Sequence, residues 1–290
     1  LDQISSAIWD QYHDEMTERL SDYVDKQRDG AGLDICLLFD GGDHIPIEAH
    51  PLIRSDKACY KSSKLAIGLA KLHHTRLHIL HLSSAREMEL LDNTTPLAKK
   101  KITAEVCIHH LWFSNSDYAE KGTLIKWNPA VKTKDDRNAL FEALLENKLD
   151  VIATDHAPHT FEEKDNPYLK APSGGPLVQH ALLAMLDFHQ QGKISPERIV
   201  EKMCHAPAIC FQVEKRGFIR KGFHADLVLV DLNKPTEVTR DSILYKCGWS
   251  PFEGHVFHSA ITHTFVNGNL VFNNGIFNEQ VKGQRLLFQR

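Results

Sequence analysis

"DVIATDHAPHT", residues 150–160, begins as a buried strand and ends in an acid and two histidines with a proline between them. Val151, Ile152 and Ala153 form the apolar part. In an α/β protein the sheet buries such a run, and the loop at its carboxyl end carries the chemistry. Asp155, His156 and His159 are therefore candidate site residues.

The same texture recurs on the amino-terminal side of this stretch. "CYKSSKLAIGLAKL" (59–72) predicts a helix, "RLHILHL" (76–82) a strand, "SAREMELL" (84–91) a capped helix and "KITAEVCI" (101–108) a strand. Thr133 and Asp136 stand in capping-box spacing ahead of "RNALFEALLENK", another helix. "LDVIAT" (149–154) is the next strand, and "PLVQHALLAMLDFHQQ" (176–191) predicts a helix opening at Pro176. Ser195, ahead of Pro196 and Glu197, caps one more. Strands alternating with helices mean parallel crossover units, hence a doubly wound sheet or a (β/α) barrel. After residue 212 the helices stop. "ADLVLVDL", "HTFVNGNLVF" and "NNGIF" predict short strands joined by the Asn267-Gly268 and Asn274-Gly275 turns.

At the amino terminus, Ile4, Ile8, Tyr12, Met16, Leu20 and Val24 recur every four residues among acids and bases, an amphipathic helix pattern. "LDICLLF" (33–39) follows as a buried strand closed by "DGGD". The expected organisation is residues 1–45 as this helix and strand, 46–212 as the barrel portion and 213–290 as a β module.

Composition narrows the function. The 290 residues carry 34 basic and 38 acidic side chains, net −4, a balance that recommends neither nucleic acid nor an anionic membrane as partner. Six cysteines are scattered without a C-x-x-C pair, and neither a signal peptide nor a bilayer-length apolar run is visible. A reduced, cytoplasmic, soluble protein is the expectation. There are 18 histidines, so spacing must select among them. The strand ends do this: His81 closes one strand, His109 and His110 another, and Asp155, His156 and His159 a third. In parallel neighbours these groups share one rim, where imidazole and carboxylate together hold a divalent metal.

"ATDHAPH" with "SGGP" beyond it, "HLS" after an apolar strand, "AEV" before "HHL", "WNPA", and the tail "GFIRKGFHADLVLVDL" with "TFVNG" resemble the dihydroorotases of the amidohydrolase superfamily. The resemblance covers residues from about 46 to about 275 and does not extend to 1–45. It implies a TIM-type (β/α) barrel, of which this chain shows the carboxyl-terminal half, flanked by a β-sandwich-like module. It also implies a binuclear zinc site and reversible hydrolysis of dihydroorotate to carbamoyl aspartate in pyrimidine biosynthesis. Carried over by position, His81 matches a zinc-ligand histidine and Asp155 a metal-ligand aspartate that shuttles the proton. Asn128, Gly174 and Gly175 match positions lining the pyrimidine pocket, and His159 matches the histidine that helps hold the substrate carboxylate. The resemblance places the His109/His110 pair outside the metal shell.

Other family ligands have no counterpart: the His-x-His pair of the first strand, the lysine of the fourth and the histidine of the fifth. "LDICLLFD" stands where the fifth strand is expected, with Asp40 or His44 as possible substitutes. The expectation is thus the carboxyl-terminal part of a dihydroorotase-like protein, weak or inactive alone and self-associating through open strand edges. A non-catalytic dihydroorotase-like binding protein and an allantoinase- or hydantoinase-type amidase are the competing readings. An anion-holding His159 favours dihydroorotate over hydantoins.

Overall fold

The computed structural model describes residues 45–289, so the expected helix at 4–27, the strand at 33–39 and the substitute ligands Asp40 and His44 lie outside the described residues. The chain divides into two units: residues 1–46 with 167–170, and residues 47–166 with 171–290. The second unit holds every strand described below.

Its centre is a parallel sheet of β1 (Leu77–Ile79), β2 (Ile102–Cys107) and β3 (Val151–Ala153), in that spatial order. β2 lies in the middle and is buried along nearly its whole length, as a strand covered on both faces must be. Ala104 and Val106 belong to the main core, with Leu111, Leu140, Leu144, Leu183 and Phe188. The alternate residues Thr103, Glu105 and Cys107 take the other face, because successive side chains on a strand point to opposite sides. Glu105 there meets His78 Nε2 at 3.1 Å, and Thr103 Oγ1 meets His78 Nδ1 at 2.8 Å. The amino ends of β2 and β3 are clasped by Asp150, whose carboxylate accepts from Lys100 Nζ (2.7 Å) and the Ala104 N–H (3.0 Å).

The helices follow the sequence signals where a cap fixes them. Ser55 caps Asp56–Leu72 through the Ala58 N–H. The Thr133/Asp136 capping box forms at the start of Lys134–Leu145, and Ser195 caps Pro196–Val200. Two expectations change. The segment after Ser84 keeps its capping box with Glu87 but is a 3-10 helix, Ala85–Leu90. The helix expected to open at Pro176 starts at Ala181, because residues 176–178 are drawn to the strand end: His156 Nδ1 accepts the N–H groups of Leu177 (3.1 Å) and Val178 (3.4 Å).

The barrel expectation is met in part. Three parallel strands of an α/β sheet are present, and the described strands do not close a ring. The β module is likewise simpler than the sandwich expected. Among the described residues it is one antiparallel sheet, β4 (Leu227–Asp231), β7 (Ala260–Val266), β8 (Asn269–Asn273) and β9 (Ile276–Phe277), in the order β4-β7-β8-β9. A separate pair, β5 (Thr236–Glu237) with β6 (Val256–Phe257), completes it. Both Asn-Gly turns form with positive φ at each residue, 53° and 81° at 267–268 and 48° and 92° at 274–275, which is what a type I′ turn requires.

Candidate active site

β1, β2 and β3 run parallel, so their carboxyl ends open on one rim. His81 follows β1, and its loop is pinned to the middle strand by the Leu82 N–H on the Glu105 carbonyl at 2.9 Å. Asp155 follows β3. Both residues take the left-handed backbone region, φ 39° for His81 and 45° for Asp155. A non-glycine residue pays about 1–2 kcal/mol there. The six other described non-glycine residues with positive φ are His74, Asn147, Gln212, Lys215, Asn267 and Asn274.

The electrostatics tie the pair together. Burial raises the Asp155 carboxyl above its ordinary value; the His81 charge opposes this and the nearby Glu105 adds to it. His81 Nδ1 is buried with no hydrogen-bond partner. The Glu105 carboxylate stands beneath, within 3.4 Å of the His81 backbone N–H. In the sequence Glu105 shows only as an acid in the middle of the otherwise apolar strand "AEVCI".

The histidines next to these candidates do other work. His109 is fully buried and stacked on Trp127, ring centroids 4.3 Å apart and 10° from parallel, with neither ring nitrogen hydrogen-bonded. Burial drives it well below the usual imidazole range, with the His110 and His81 charges adding. His110 Nε2 donates to the Pro129 carbonyl, 3.1 Å away, and the ring is pulled down to about 3, mainly by burial. His156 spends its Nδ1 on the backbone of 177–178. All three are held as neutral rings.

The glycine pair is built into the same loops. A Cβ on Gly174 (φ 129°) would stand 2.6 Å from the Ala157 carbonyl oxygen and 3.3 Å from His159 Cδ2. One on Gly175 would stand 2.7 Å from the Trp127 ring. The 155–159 loop and the 172–176 loop therefore lie backbone against backbone, zipped by the Ala157 N–H on the Gly175 carbonyl (3.3 Å). His159 is half-buried, with its carbonyl accepting from Trp249 Nε1 at 2.8 Å and its Nδ1 3.6 Å from Glu163. Asn128 is exposed beside buried Trp127. His81 and Asp155 thus follow the two strands that flank β2, and the Gly174 backbone lies against the His159 ring. Trp249, whose indole N–H donates to the His159 carbonyl, supports the 155–159 loop.

The metal does not follow as directly. Among the described residues no group of three or more His, Cys, Asp or Glu side chains is placed to hold a metal ion. His81 and Asp155 are two donors, whereas zinc takes three or four protein ligands. By themselves the described residues do not fit zinc.

Comparison with known proteins agrees with the architecture. A dihydroorotase of Halobacterium salinarum is 39% identical over 180 residues, 62% of this chain and 41% of the relative. One of Pyrococcus furiosus is 33% identical over 221 residues, 76% of this chain and 51% of the relative. The chain thus spans about half the length of the curated relatives it matches. Among solved structures, the L-hydantoinase (dihydropyrimidinase) of Arthrobacter aurescens superposes with a TM-score of 0.76 at 26% identity, over 84% of this chain and 54% of that one. The family model described as the amidohydrolase family matches residues 43–271. With most of its length inside that match, the chain belongs to the amidohydrolase family.

Proposed function

We propose that the chain carries the carboxyl-side part of a dihydroorotase-type site, which adds water across the ring amide of dihydroorotate to give carbamoyl aspartate, and the reverse. The observation that carries this reading is the strained His81/Asp155 pair at the rim, beside a glycine loop built against His159. Asp155 is the proton carrier. As a carboxylate it accepts a proton from the attacking water and returns it to the ring nitrogen as the carbon–nitrogen bond breaks. Its raised proton affinity suits that exchange, since a carrier works best when it gains and loses a proton with similar ease. His159 holds the substrate carboxylate, and Asn128 with the backbone at Gly174 and Gly175 lines the ring. His81 and Asp155 are the metal-facing groups. Zinc, which activates water in such hydrolases, needs further donors beyond the described residues.

The two-donor count favours a second reading, a dihydroorotase-like protein that binds without turnover. The experiment is joint: measure zinc by elemental analysis and ring hydrolysis on the purified chain. Stoichiometric zinc with turnover supports the enzyme. Ligand binding without either supports the binder. A cytoplasmic setting is proposed with both readings, since Cys59, Cys107, Cys204, Cys210 and Cys247 are free thiols, and no helix among the described residues is long and apolar enough to cross a membrane. Self-association is proposed as well. Val228 and Leu229 are exposed on the outermost strand β4, and a single species of monomer mass in solution would count against it.

A further inference from the structure

The short helix Phe161–Lys164 starts just past His159, with Thr160 and Glu163 forming its capping box. Its last residue, Lys164, has no exposed surface. Burying an ammonium is costly unless each of its N–H donors is answered. Here all three are: Lys164 Nζ donates to the carbonyls of Gly174 (2.8 Å), Pro172 (2.9 Å) and Lys126 (3.1 Å). These acceptors come from two separate segments. Lys126 lies two residues before Asn128, while Pro172 and Gly174 bracket the approach to Gly175. Gly174 also donates its N–H to the Lys126 carbonyl at 2.9 Å, so one ammonium closes both segments on each other. Burial draws the Lys164 proton affinity down to about 7, with the Lys126 charge adding. Three carbonyl oxygens at hydrogen-bond distance act in the opposite sense and favour the charged form.

The consequence reaches the candidate site because Gly174 has no space behind it. Its Cα faces the Ala157 carbonyl and the His159 ring. Any shift of the 172–174 carbonyls therefore moves the wall on which the 155–159 loop rests. We propose that Lys164 is a positioning residue: its buried ammonium holds the 172–176 loop against the 155–159 loop and so sets the shape in which a carboxylated cyclic amide, or its ring-opened carbamoyl amino acid, is bound. The ligand class rests on the function proposed above; the clamp itself does not.

The test uses the full chain and the variants K164M and K164Q. K164M keeps the length of the side chain and removes every donor. Hydrogen exchange read by mass spectrometry is expected to speed up at least about tenfold at 155–159 and 172–178, with β2 and Lys134–Leu145 unchanged. The indole N–H resonance of Trp249, assigned with W249F, shifts, because its acceptor is the His159 carbonyl. K164Q, which returns two donors, exchanges at intermediate rates. Unchanged local exchange, or a rise shared by the whole molecule, overturns the proposal. If K164M does not fold, K164Q and the wild type carry the test: acetic anhydride should label Lys164 at least about tenfold more slowly than exposed Lys61 and Lys71, and equal labelling overturns the clamp. Carbamoyl aspartate binding by calorimetry forms the last arm, with about a tenfold loss of affinity expected in K164M, in keeping with the cost of a loosened binding geometry. A wild type that binds no carbamoyl aspartate defeats the dihydroorotase reading, while exchange still decides the clamp.

Discussion

At the scale of single residues, two positions separate chemistry from architecture. Asp155 is half-buried at a strained strand end, and the role proposed for it depends on giving and taking a proton. Asp155→Asn preserves the shape and removes the base. In protein that turns over dihydroorotate, the variant should lose roughly 10²–10⁴ of the rate with its unfolding curve unchanged, and near-normal turnover would end the proton-carrier role. Gly174 is architectural. With φ 129° and the Ala157 carbonyl 2.6 Å from any added Cβ, Gly174→Ala must shift backbone. A loss of at least about 2 kcal/mol in denaturant unfolding is expected, since strain and overpacking add. His81 and Asp155 were legible in the sequence as polar residues closing apolar strands. Lys164 was not, since a lysine at the end of "FEEK" gives no sign that three carbonyls will surround it.

At the scale of elements, caps were legible and packing was not. Thr133 and Asp136 form the box that their spacing announces. The structure adds that Asp136 also accepts the Ala85 N–H at 2.9 Å, tying the Lys134–Leu145 helix to the 3-10 helix at Ala85–Leu90. Thr133→Ala should therefore cost about 1 kcal/mol, the usual value of an N-cap. Asp136→Ala should cost more, by about another 1 kcal/mol, because it leaves a second N–H without its acceptor. Equal losses in paired urea titrations would show that the Ala85 contact carries no energy. Pro176 misled for a related reason. A proline ahead of an apolar run is a good helix opening, yet His156 Nδ1 claims the next two N–H groups and delays the helix to Ala181.

At the scale of the whole molecule, buried histidines contribute to the response to acid. Burial pulls His50 down to about 4 and His180 down to about 4. Between about 6.5 and 4 the unfolded chain takes up protons at these positions and the folded chain does not. The contribution of these two histidines to stability is therefore fully present above about pH 6.5 and falls as the pH drops towards 4, by about 1.4 kcal/mol per pH unit for each within that window. Urea midpoints measured from pH 7.5 to 4.5 should decline accordingly, and His180→Gln should flatten the slope. A pH-independent midpoint across that range would show that neither ring is held neutral by the fold.

The sequence by itself determined the period of the elements, the parallel α/β order of the first part, the antiparallel order of the second, and the strand ends at which polar groups gather. Those follow from local causes: alternation of apolar residues, capping side chains, and Asn-Gly pairs that accept positive φ. Tertiary structure alone decided which groups meet. The Lys164 ammonium finds carbonyls 38, 8 and 10 positions away, and Trp249 reaches His159 across 90 positions. His109 and His110 close a strand in the sequence much as His81 does, and only the packing shows that the core encloses them and holds their rings neutral. Burial and long-range hydrogen bonding depend on the packing of distant segments, and no local pattern encodes them.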